Sequence, residues 1–110
     1  MCFKKKKVVG DIYIQDRKTL LLAAQEIDVL LVLDLDKQFE SRLIELKDEL
    51  MYLSPRENKD VYAIDVKIRN KIGDLKLILN KPENMDYDSV ENIITTLFVM
   101  CKERDAKELK

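Results

Sequence analysis

Two glycines and two prolines in 110 residues leave this chain few places to turn sharply. Gly and Pro are the strongest local punctuation, and loops that carry chemistry use them freely. The remainder is rich in Leu, Ile, Val, Lys, Glu and Asp, with 37% of residues charged, a composition suited to packed helices. The fold expected is all-α: an antiparallel helical bundle of four helices near 17–33, 37–53, 56–80 and 88–107. If residues 17–53 form one long helix, the bundle has three. A chain of this length makes one domain and buries enough surface for one core. That domain is assigned to 11–110, behind a flexible basic leader, 1–10, whose four consecutive lysines repel one another.

Apolar spacing places the helices. Leu20, Ala24, Ile27 and Leu31 follow one helix face, and Leu22, Val29 and Val32 lie beside it. This first helix is therefore expected at the centre of the bundle, covered on more than one side. Phe39, Leu43, Leu46, Leu50 and Leu53 step by four and three, the cleanest stripe in the chain. The stripe changes phase across Asp34-Leu35-Asp36, which favours a turn there, since Asp caps helices better than it extends them.

Ser54-Pro55-Arg56-Glu57 has the spacing of a capping box with Pro at the first helical position, so the third helix is expected to start at or just after Pro55. Residues 61–79 fit two templates. Val61, Ile64, Ile68, Ile72, Leu75 and Leu79 make an unbroken helical stripe, whereas Tyr62, Ile64, Val66 and Ile68 alternate as in a strand. The helical template holds for the whole segment and the strand template must restart after Gly73, so helix is favoured over a hairpin. Asn80-Lys81-Pro82 ends that element, because Pro disfavours helix in the residue before it. Asp88 stands three before Glu91 at the start of the last helix, whose inward face is read as Val90, Ile93, Ile94, Leu97, Phe98 and Cys101. From Lys102 onward the chain is polar and expected to fray.

Function is much less legible. There is no His and no Cys pair at ligand spacing, which removes the usual ligands of zinc and of di-iron bundles. Asp34/Asp36, Asp86/Asp88 and Glu103/Asp105 are carboxylate pairs without the rest of a calcium loop. Ser41, Ser54 and Ser89 have no base and no nucleophile-elbow context, and the two glycines are too isolated for a phosphate loop. No catalytic residue, metal ligand, cofactor or small-molecule substrate is assigned, and the protein is not read as an enzyme. Lys67, Arg69, Lys71 and Lys76 scatter round a helix rather than forming a basic stripe, and the net charge is −1, which argues against a nucleic-acid partner.

Cys2 and Cys101 give no disulfide framework and are read as free thiols of a reducing compartment. Met1–Lys7 has the charge of a signal-peptide n-region with no apolar segment behind it, and Leu20–Leu35 is interrupted by acids, so the expected location is the cytoplasm. Two interaction sites remain. Phe3, Lys4, Lys5, Lys6 and Lys7 form a candidate membrane-surface contact, because lysines near anionic lipid are each worth about 1 kcal/mol. Tyr62, Val66 and Leu77 lie off the core stripe on one face of the third helix, a candidate partner face. The reading favoured is a small non-catalytic helical protein acting on a protein partner or on itself, with a homodimer as the simplest form. The alternative is a peripheral membrane-surface accessory docked by Cys2–Lys7.

Overall fold

The computed structural model describes residues 2–33, 35–81 and 86–108, with side chains described between residues 11 and 107 of these. It is an all-α bundle of four helices: α1 (Cys2–Leu31), α2 (Lys37–Tyr52), α3 (Lys59–Leu79) and α4 (Tyr87–Glu108). Residues 61–79 are one helix, so the periodicity of four and three decided that segment correctly over the alternation. The break between α1 and α2 falls where the phase of the stripe changes. Val32 and Leu33 donate their amides to the carbonyls of Val29 and Leu30, tightening the end of α1, and Asp36 precedes α2. Asp34 lies outside the described residues. No helix among the described residues is long and apolar enough to cross a membrane.

Helix α1 packs on α2 and α3, and α4 closes the ring against α3 and α2. Each helix contributes one row of side chains in steps of four and three. Leu20, Ala23, Ile27 and Leu30 come from α1; Phe39, Leu43, Leu46 and Leu50 from α2. Ile68, Ile72, Leu75 and Leu79 come from α3, and Val90, Ile94, Leu97 and Cys101 from α4. These rows bury against one another as a single core.

The second stripe expected on α1 is not buried. Val29 and Val32 are exposed and Leu22 is half-buried, because α1 occupies a corner of the bundle and not its centre. Leu30 takes the core position assigned to Leu31, which is half-buried. The helix also starts much earlier than 17: residues 2–10, assigned to the leader, continue α1. One glycine costs a helix only about 1 kcal/mol, so Gly10 is no strong stop.

The start of α3 corrects the capping box. Asn58 is the N-cap, with its side-chain oxygen accepting from the amides of Asp60 (2.8 Å) and Val61 (3.2 Å), and the helix begins at Lys59 instead of beside Pro55. The box residues serve the tertiary structure instead. The Ser54 carbonyl accepts from Arg104, the Arg56 amide donates to Asp16, and the Glu57 carboxylate accepts from the Tyr13 amide of α1. At α4 the cap sits two residues before Asp88. Asp86 accepts from the Asp88 amide at 3.1 Å and from the Ser89 hydroxyl at 2.9 Å. Glu91, free of capping duty, pairs with Arg42 of α2.

Asn58→Ala should lower unfolding stability by about 1 kcal/mol, within a range of roughly 0.5–2, as loss of an N-cap does. Ser54→Ala should stay within about 0.5 kcal/mol of the parent, since only its backbone carbonyl is engaged. Urea titration of the two variants distinguishes this cap from the one read in the sequence.

Candidate functional site

Three helices carry a charged residue in line with their apolar rows, on α3 within the row itself, where Val61 and Ile64 precede Asp65. Asp16 stands four before Leu20 on α1, Asp65 stands three before Ile68 on α3, and Arg104 stands three after Cys101 on α4. All three are 0% exposed. The row spacing carries each one into the core at the same end of the bundle, where they meet. Arg104 Nε donates to both oxygens of Asp65, at 2.8 and 3.1 Å, and its Nη2 lies 3.5 Å from Asp16 Oδ2. Nη2 also donates to the Ser54 carbonyl, and Asp16 Oδ2 accepts the Arg56 amide at 2.8 Å. The cluster thus fastens α1, α3, α4 and the α2–α3 connection together.

Two carboxyls face one guanidinium here, so full ionisation would leave a net negative charge in a sealed site. Burial pushes Asp65 up from 3.8 to about 8, aided by a hydrogen bond to Asp16 and opposed by Arg104. Asp16 Oδ1 is buried and receives no hydrogen bond from a fixed donor. A proton on Asp65 lowers the negative charge held beside Arg104. Asp65, whose carboxyl burial pushes up to about 8, is the acid of the cluster that holds its proton near neutral pH. Cys101 lies three residues before Arg104 on α4 and is also buried. Burial, with Glu49, Asp105 and Asp65 nearby, pushes its thiol up to about 12, so it stays an unreactive thiol.

The sequence analysis missed this cluster, although the signal was present. The spacings 16-20-23-27, 65-68-72-75 and 94-97-101-104 continue the core rows through a charged residue without a break. Lys102–Lys110 was expected to fray. Arg104 instead lies fully buried, and α4 continues to Glu108.

The two sites read in the sequence lie elsewhere. Phe3, Lys4, Lys5, Lys6 and Lys7 fall in the first turns of α1, and their side chains lie outside those described. Tyr62, Val66 and Leu77 lie off the core row of α3, and Leu77 borders a hollow shared with α1. Tyr62 and Val66 are half-buried, and Leu77 is 68% exposed. The same face carries Gly73, where a Cβ would meet nothing within 4 Å. Between α1 and α3 an open hollow is lined by Glu26, Arg69, Asn70, Gly73, Asp74 and Leu77. A second apolar recess, about 180 Å³, lies between α1 and the end of α2, lined mainly by Leu20, Leu21, Leu50 and Met51. Among the described residues no group of His, Cys, Asp and Glu is placed to hold a metal ion. The chain matches no known family model, no curated protein and no solved structure.

Asp65 sets a sign for pH dependence. An acid whose folded pKa is raised is protonated in the fold and ionised in the unfolded chain between its two values. Stability from Asp65 is therefore complete below about pH 4 and falls as pH rises through about 8. Urea midpoints should decline from pH 5 to pH 8.5, by at most about 1.4 kcal/mol per pH unit. Asp65→Asn supplies a neutral partner that still accepts from Arg104 and donates to Asp16, so it should flatten this slope. At pH 8 it should be at least as stable as the parent. Arg104→Leu leaves the acids without their cation and should cost about 3–5 kcal/mol.

Proposed function

We propose that this is a small non-catalytic helical protein of the cytoplasm that acts through protein–protein contacts, associating with itself. The observation that carries the reading is the outer face of α3. Tyr62, Val66 and Leu77 line up along a helix whose core row already fills the interior, and Leu77 stays 68% exposed. Aligned apolar side chains left outside a complete core are a feature of association surfaces.

A non-catalytic reading is supported by the placement of the perturbed acid. Asp65 has the displaced titration that catalytic groups show, but it is sealed at zero exposure among core side chains and offers no approach to a substrate. Its contacts explain it as a fastening between helices. The buried, reduced Cys101 fits a reducing compartment.

Light scattering on an eluting column at about 100 µM, the concentration a small interface requires, should report a mass above the 12.9 kDa monomer. Val66→Glu should return that mass to 12.9 kDa with an unchanged helical spectrum, since a charge would be placed in the seam without a partner. A parent protein that remains monomeric at every concentration overturns self-association.

A further inference from the structure

The outer face of α3 has a heptad order. Ala63, Val66, Asn70, Gly73 and Leu77 follow one another by steps of three and four, a narrow seam on the side away from the core. Ala63, Asn70 and Leu77 are exposed, and Val66 and Gly73 are half-buried. Arg69 flanks the seam on one side and Asp74 on the other. They are five residues apart, the separation at which flanking residues of two parallel, in-register helices meet across a seam. Both are exposed, and their contacts within the chain are long: Arg69 to Glu26 and Lys71 to Asp74, each 4.0 Å.

We propose that α3 pairs in parallel and in register with α3 of a second copy, with Arg69 of each chain against Asp74 of the other. This rests on the self-association reading above and specifies its geometry. The charges are self-complementary only in this sense. In an antiparallel pair the residues on one flank of the seam meet their own kind, so Arg69 and Asp74 would stand on opposite sides. The polar Asn70 meets its own copy in the parallel pair, the position at which a single seam Asn sets register and helix number. Gly73 also finds a use. It costs α3 about 1 kcal/mol relative to Ala and fills no tight space within the chain, but it lets a second backbone approach closely. Tyr62 faces Lys67 of the other chain, a favourable cation–ring pairing. Lys76 and Lys81 would be a like-charged pair, but Lys81 lies beyond the end of α3 and outside the seam. One helix pair buries less than standard interfaces of about 1,600 Å², so the dimer should be weak.

The test is a charge exchange on the full chain. Arg69→Asp and Asp74→Arg should each weaken association by about tenfold or more, because each places like charges across the seam twice. Neither touches the core, and the Arg69–Glu26 pair that Arg69→Asp removes is long and partly exposed, so both should stay close to the parent's urea midpoint. An equimolar mixture should restore the dimer, since one chain then carries two acids and the other two bases. Asn70→Cys in a Cys2→Ser background should form a disulfide dimer on mild oxidation. If Val66→Glu dissociates the parent but the mixture stays monomeric, the parallel register is wrong while self-association stands. If Asn70→Cys fails to cross-link a dimeric protein, the register is likewise overturned. A monomeric parent overturns both.

Discussion

An unbalanced charge in a dry place governs this bundle. Asp16, Asp65 and Arg104 come from three helices, and the connection between α2 and α3 reaches them through the Ser54 carbonyl and the Arg56 amide. Removing ions from water costs several kcal/mol each, so such a cluster is tolerable only when every member is partnered. The arrangement therefore admits little slippage. Sliding α4 by one turn would withdraw Arg104 and leave two acids together. An apolar row accepts such shifts more readily, because one leucine resembles the next. The cluster gives register, the apolar rows give the drive to collapse, and burial keeps the Asp65 carboxyl protonated well above its ordinary range.

The same cluster explains why the α2–α3 connection departs from its local signals. Ser54, Pro55 and Glu57 have the spacing of a helix start, and in isolation that start would satisfy the orphan amides. In the bundle, Arg104 takes the Ser54 carbonyl and Tyr13 brings its amide to Glu57. Asn58 then caps α3. Local and tertiary partners compete for the same polar atoms, and charge-assisted bonds in a low-dielectric setting win that competition. At the opposite seam, Arg42 of α2 holds Glu91 and lies 5.6 Å over the Phe98 ring of α4, while Phe39 meets Tyr87 edge-on at 5.2 Å. These partly exposed contacts join the helices with less penalty for misplacement.

The core row of α3 and the Val66 and Leu77 face lie on different sides of the helix, which would separate stability from the proposed association. Changes on the Val66 and Leu77 face leave the core rows intact, and changes at Asp65 act on the bundle alone. That separation allows the association proposal to be tested without unfolding the protein.

The sequence by itself determined the helical class and three of the four core rows nearly residue for residue, and its change of phase favoured the break between α1 and α2 without deciding between four helices and three. These follow from periodicity, which is a local property. It also singled out Tyr62, Val66 and Leu77 as apolar residues off the core stripe, because helical geometry alone sets which residues share a face. Only the tertiary structure decided that α1 is a corner helix with Val29 and Val32 outside, and that Asn58 caps α3 in place of Ser54. It alone showed that Arg104 is buried in a segment that reads as a polar tail. Whether a charged side chain faces water or the core depends on whether an opposite charge from a distant part of the chain reaches it. The spacing of Asp16, Asp65 and Arg104 marked them as core positions, but their mutual neutralisation joins residues 39 to 88 apart in sequence, and packing alone brings these together.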